Sequence, residues 1–102
     1  MRLNWSPLAI SRLSEVAKYI ALDNPAAAER WVRKIFTQVE KLSELPERGR
    51  VVPEVGNKAI REIISGNYRI IYRLEDREVS ILTLRHVKQV LSIEMLFKID
   101  PG

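Results

Sequence analysis

The chain contains no cysteine, which removes disulfide frameworks, thiolate zinc sites and cysteine nucleophiles together. A single histidine leaves too few soft ligands for a zinc or di-iron centre, so neither a metal nor a cofactor is expected. Glycine is scarce, at four residues, and none sits in a phosphate-cradling Gly-x-x-x-x-Gly-Lys loop, a Gly-x-Gly-x-x-Gly turn or a Gly-x-Ser-x-Gly elbow. Carboxylates such as Glu54 and Glu62 are scattered along the chain, and nothing pairs them as the acid and base of a glycosidase. No apolar run approaches the ~20 residues of a bilayer span. Arg2, Asn4 and Ser6 interrupt the amino terminus at once, so no signal peptide is read there and a cytoplasmic protein without a membrane partner is expected. Repeats and low-complexity tracts are missing as well.

What is present describes an ordinary globular chain. At 102 residues and 11.8 kDa it is expected to form one domain over residues 1–102 with a single core. Hydrophobic residues make up 46% and charged residues 29%, which argues against a disordered tail. The net charge of +4 is uneven. Residues 1–47 hold 7 basic and 6 acidic side chains, and residues 48–102 hold 10 and 7, so the excess lies in the second half. Such a bias suits an acidic or phosphate-bearing partner, and it is equally common in proteins that bind nothing anionic.

Arg2-Leu3-Asn4-Trp5-Ser6 alternates polar and apolar like a half-buried strand. Ser6-Pro7 then opens a helix, with Ser6 as cap and Pro7 where a missing N–H costs nothing. Its apolar positions Ile10, Leu13, Ala17 and Ile20 recur to about Leu22. Asp23-Asn24-Pro25 repeats the device, and Ala28, Val32, Ile35, Val39 and Leu42 predict a second helix folded back on the first as a hairpin. Pro46, Gly49, Pro53 and Gly56 predict a loop from Leu45 to Asn57. Ala59–Ile64, Tyr68–Leu74 and Val79–Arg85 read as strands, with short turns at Ser65-Gly66-Asn67 and Glu75-Asp76-Arg77-Glu78 that permit only antiparallel neighbours. The tail from Val90 to Ile99 is apolar and reads as a short helix. The sum is an α+β fold: an N-terminal strand, a two-helix hairpin, then three antiparallel strands in one sheet with the helices on one face.

Alternation along Tyr68–Leu74 sends Tyr68, Ile70, Tyr72 and Leu74 to one face and Arg69, Ile71 and Arg73 to the other. If the helices cover the tyrosine face, Arg69 and Arg73 stand on the open side, where Arg61, Arg85, His86 and Lys88 could join them to grip phosphates or a partner's carboxylates. The simpler alternative is that Arg61 and Arg73 pair across strands with Glu62, Glu75 or Glu78, and that His86 is a capping or packed histidine.

The succession Ser6-Pro7, Asp23-Asn24-Pro25, Leu45-Pro46-Glu47-Arg48-Gly49-Arg50, Val52-Pro53-Glu54, Ile60-Arg61-Glu62-Ile63, Tyr68-Arg69-Ile70-Ile71-Tyr72 and Leu84-Arg85-His86-Val87-Lys88 resembles the RelE/ParE family of type II toxin–antitoxin toxins. The resemblance runs from about Leu3 to Lys88 and implies a small antiparallel sheet with a helical hairpin on one side. It implies growth arrest and plasmid stabilisation as the biological setting, and one of two activities. RelE-like members are ribosome-dependent messenger endoribonucleases that use lysines, arginines and a late tyrosine without metal. On that reading Arg69, Arg85 and Lys88 would be the catalytic candidates. Ile60 and Glu62, however, stand where lysines are expected, and no tyrosine follows Tyr72. ParE-like members instead poison DNA gyrase without chemistry of their own, and the long hairpin resembles theirs. The expectation is therefore a ParE-like gyrase inhibitor, with no enzymatic activity, neutralised by a ParD-like antitoxin. Arg61, Arg69, Arg73, Arg85, His86, Lys88, Met95 and Phe97 are the candidate antitoxin- or target-binding residues, and the alternative target is messenger RNA on the ribosome.

Overall fold

The computed structural model describes residues 1–89. The order is β1 (Arg2–Trp5), α1 (Pro7–Asp23), α2 (Pro25–Glu40), a 3₁₀ turn (Lys41–Ser43), β2 (Arg50–Val51), β3 (Ile60–Ser65), β4 (Tyr68–Leu74) and β5 (Glu78–His86). The helix starts follow from local chemistry. Ser6 Oγ accepts from the Ala9 amide at 3.0 Å and Asn24 Oδ1 from the Ala27 amide at 3.1 Å, each followed by proline at the first helical position.

The strands form one sheet in the order β1-β5-β4-β3-β2. β2 to β5 pair antiparallel, and β1 runs parallel to β5 with Leu3 opposite Val79 and Trp5 opposite Ile81. A parallel pair needs a long crossover between its strands, and the helical hairpin begins that return. Ser6 seals the junction, its amide donating to the Ile81 carbonyl and its hydroxyl to the Leu82 carbonyl.

The core lies between the hairpin and one sheet face. Ala9, Leu13, Ile35, Val39 and Leu42 pack on Ile63, Ile70, Tyr72, Val79, Ile81 and Leu84, with Leu3, Trp5, Trp31 and Leu74 at the margin. The expected tyrosine face is thus the covered one. In α1 Leu13 is buried and Ala17 and Ile20 are half-buried as read, while Ile10 is exposed and Ala9 is buried in its place.

Three features depart from that reading. The loop expected over Leu45–Asn57 contains β2, which pairs Arg50 with Glu62 and Val51 with Arg61. In β5, Ile71 faces Thr83 while Tyr72 faces Ile81, which leaves Leu82 as an extra residue in a β-bulge. Leu82 then joins Val52 and Ile71, with Val55 and Ile60 alongside, in a second small cluster on the face away from the helices. That face is therefore partly roofed by the loop preceding β3. The helix expected for Val90–Ile99, with Met95 and Phe97, lies outside the described residues. Among the described residues no helix is long and apolar enough to cross a membrane.

Candidate partner-binding face

The β3–β4 turn decides which cations meet. Ser65 pairs with Tyr68, so the turn has Gly66 and Asn67 as its central residues, and Gly66 takes a φ of 59° that an L side chain resists. This register puts Arg61 opposite Tyr72 and Glu62 opposite Ile71. A three-residue turn would have placed Arg61 beside Ile71, and a slip of one residue reverses every side chain. Arg61 consequently does not stand with Arg69. It lies on the Tyr72 side at the sheet margin and donates to the carbonyls of Gly49 (3.0 Å), Lys58 (3.0 Å) and Glu47 (3.5 Å).

On the face away from the helices, Arg69 is enclosed by carboxylates. Its Nε donates to Glu62 at 2.5 Å, and its two Nη groups form a fork on Glu54 at 2.7 and 2.9 Å. The second oxygen of Glu62 accepts from Arg50 at 2.6 Å. The Glu62 side chain is 0% exposed and that of Arg69 8%, so the centre of the network is buried, its outer members Arg50 and Glu54 reach solvent, and its charges compensate each other. Hydrogen bonding by Glu54 pushes the Arg69 pKa up, against the opposing effect of burial and with further help from Glu62. The open cation anticipated at Arg69 is thus neutralised within the chain, because β2 and the Val52–Glu54 segment bring Arg50 and Glu54 over it. Arg73 is engaged too, donating from Nε at 2.9 Å and Nη2 at 2.5 Å to Glu75.

Tyr72 holds the same loop from beneath. Its buried hydroxyl accepts from the Gly49 amide at 2.9 Å and donates to the Pro46 carbonyl at 2.8 Å. Burial raises its pKa, and the Gly49 hydrogen bond partly opposes the rise. A Cβ on Gly49 would lie 2.5 Å from both the Glu62 carbonyl oxygen and the Tyr72 hydroxyl, so only glycine permits this approach.

The remaining candidates gather at the end of β5. Arg85 is the ladder neighbour of Arg69, and its buried Nε has no hydrogen-bond partner among the described residues. Burial lowers its pKa, and the charge of Arg12 adds to that. His86 lies opposite Tyr68 with ring centroids 5.5 Å apart, and Tyr68 meets Trp31 edge-on at 5.4 Å. His86 Nδ1 accepts from the Lys88 amide at 3.1 Å, so it fixes the turn that carries Lys88. Arg69, Arg73 and Arg85 therefore share a sheet face, whereas His86 and Arg61 do not.

Four residues of this region escaped the sequence reading in their roles: Arg12, Arg50, Glu54 and the hydroxyl of Tyr72. The link from Glu62 to Arg69 was readable, since a hairpin with Gly66-Asn67 at its tip sets them diagonally across strands. The Glu54 contact had no such signal, because it is made by a loop. No group of three or more His, Asp or Glu side chains able to hold a metal occurs among the described residues.

Comparison with known proteins bears on this geometry. Residues 3–91 match the family described as "ParE toxin of type II toxin-antitoxin system, parDE". A Sinorhizobium fredii protein named "Putative toxin Y4kP" is 41% identical over 91 residues, covering 86% of this chain and 90% of that one. Caulobacter vibrioides "Toxin RelE2" is 31% identical over 87 residues, covering 84% and 94%. A solved structure titled "Chromosomal ParDE TA system from P. aeruginosa" superposes with a TM-score of 0.71 at 24% identity, covering 84% of this chain and 95% of that one. This last likeness is one of fold.

Proposed function

The chain belongs to the ParE toxin family of type II toxin–antitoxin systems, and from that premise we propose that it acts by inhibiting DNA gyrase and is neutralised by a cognate ParD-like antitoxin. The observation that carries the choice of target is the closed network Arg50–Glu62–Arg69–Glu54. A metal-free ribonuclease must present cations to a phosphodiester and supply a proton donor. Here the central strand arginine has its Nε and both Nη groups committed to carboxylates, and Glu62 itself occupies a position at which the ribonuclease pattern implies a lysine. Freeing Arg69 for a phosphate would break its bonds to both carboxylates and leave one oxygen of the buried Glu62 unpaired, with Arg50 as its remaining cation, at a cost of ~1–3 kcal/mol. The last tyrosine, Tyr72, is buried under the loop and engaged at its hydroxyl. General acid–base assistance is typically worth ~10²–10⁴-fold per group, so a sheet lacking these groups supports cleavage poorly. A protein that traps gyrase needs only a complementary surface.

Induction of the chain alone should arrest bacterial growth, with filamentation and a DNA-damage response while translation continues at first. Prompt arrest of translation with cut messenger RNA would instead assign the toxin to the ribosome, and Arg85 and Lys88 would then be the first residues to replace.

A further inference from the structure

β1 ends the sheet order β1-β5-β4-β3-β2, so it is paired on its β5 side alone. The Arg2 amide donates to the Arg77 carbonyl at 3.1 Å and the Ser6 amide to the Ile81 carbonyl at 3.0 Å. Backbone groups alternate in direction along a strand, so Arg2, Asn4 and Ser6 turn theirs toward β5. Leu3 and Trp5 therefore point their N–H and C=O outward. Among the described residues no turn, loop or side-chain group hydrogen-bonds to these outward groups.

Edge strands are commonly blunted by shortness, charge, proline or a covering element. β1 is short, but Pro7 falls beyond it, Asn4 is exposed and uncharged, and the guanidinium of Arg2 is drawn to Glu78 at 3.5 Å. Apolar surface gathers beside this edge. Met1, Ile10 and Phe36 are exposed, and Phe36 packs on Trp5 with ring centroids 5.1 Å apart. Trp5, Pro7 and Ile10 belong to the lining of a cavity of about 730 Å³.

The edge is complementary to itself. Two copies of β1 set antiparallel about a two-fold axis through Asn4 place Leu3 of each opposite Trp5 of the other. These are the residues whose groups point outward, so each such pair exchanges both backbone bonds. Opposed side chains share a face, so Leu3 and Trp5 meet on the helix side and the two Asn4 side chains meet on the other. One step further, Met1 of one copy approaches Pro7 of the other and the apolar cavity beside it. The two Arg2 stand four residues apart along the ladder, ~13 Å, where their repulsion is screened. A slip of one residue would oppose helix-side to open-side residues. A slip of two would call on the Met1 amino group, which already donates to the Ser43 carbonyl at 2.8 Å.

We propose that the free chain pairs with a second copy of itself through β1, joining the two five-stranded sheets into one as a reversible dimer. A strand of another protein would find the same backbone groups. A second copy also supplies the projecting Met1 and Leu3 and the receiving Trp5, Pro7 and Ile10 in matched order, as a two-fold contact requires. The ladder is short, so the contact falls at the weak end of specific interfaces. The inference depends neither on the target nor on the antitoxin.

The test is sedimentation equilibrium of the purified full chain from micromolar to millimolar concentration, with amide hydrogen exchange read at Leu3 and Trp5. The mass should rise from one chain to two with concentration, and the two amides should become protected in step. Asn4→Lys sets like charges opposite each other across the axis and should weaken the dimer at least about tenfold, as should Asn4→Glu. An equimolar mixture of the two variants should associate at least as tightly as the parent, because Lys then faces Glu. Ile64→Lys, which adds the same charge at an exposed position of β3, should leave association unchanged. A parent that stays monomeric throughout would overturn the proposal whether or not any variant folds. So would parental association of either Asn4 variant, no association of their mixture when both are folded, or an equal loss in Ile64→Lys. Protection of Leu3 and Trp5 that persists on dilution to the monomer would assign the edge to another part of the same chain, and protection that appears only with the antitoxin would assign it to that partner; either contradicts the dimer.

Discussion

Tyr72 and Glu62 show how single side chains hold the loop that closes the sheet face. Tyr72→Phe removes a hydroxyl that serves the Gly49 amide and the Pro46 carbonyl at once. The variant should lose ~1–3 kcal/mol in urea unfolding, because it leaves a buried donor unpaired. The hydroxyl also links stability to pH. Its folded pKa is raised above the ordinary 10.0, so the unfolded chain loses its proton first on alkalinisation. Stability is therefore unaffected by this group below about pH 10 and falls as pH rises from there through the folded value, and Tyr72→Phe should flatten the alkaline limb. Glu62→Ala leaves the buried Arg69 Nε without its carboxylate while the Glu54 fork remains, and should cost ~1–3 kcal/mol, whereas Glu29→Ala, which breaks only an exposed pair with Arg33, should cost well under ~1 kcal/mol. That Tyr72 faces the helices was legible from alternation. The work of its hydroxyl was not, because its partners are backbone groups of a loop 23 to 26 residues away, and no local pattern reports such a distance.

At the scale of elements, the two helix starts look alike in sequence and differ in what they hold. Asn24 caps α2 at an exposed corner through one bond to Ala27, so Asn24→Ala should cost ~1 kcal/mol. Ser6 caps α1, donates to the Leu82 carbonyl of β5, and joins helix to sheet. Ser6→Ala should cost more, ~2 kcal/mol, and chemical denaturation of both variants side by side checks the order. The helices, β3, β4 and β5 were legible to within a residue or two because capping residues and alternation mark them. β2 was not, since two residues carry no period, and neither was the bulge at Leu82, which depends on how β5 fits β4. These two missed features and the turn register decide the candidate site. They bring Arg50 and Glu54 over Arg69, turn Arg61 to the other side, and leave Arg85 as the sheet arginine whose Nε has no hydrogen-bond partner among the described residues.

For the molecule as a whole, the sequence order and spacing matched a toxin family that the comparisons then support across residues 3–91, but they did not reveal how the charge is used. The excess of cations in the second half suggested a basic sheet face. Ion pairing inside the chain engages Arg50, Arg69 and Arg73 there, and the side-chain nitrogens left without a hydrogen-bond partner among the described residues are Nε of Arg12 in α1 and of Arg85 in β5. Charge that is internally compensated neither steers nor grips a polyanion, which is why a macromolecular target reached through surface fit is favoured over cleavage of RNA. The most direct measurement is gyrase supercoiling with purified protein, run beside a ribosome-programmed messenger-cleavage assay at the same concentrations. Inhibition of supercoiling, relieved by the antitoxin, with intact messenger is the expected result; undisturbed supercoiling with messenger cut on the ribosome would contradict it.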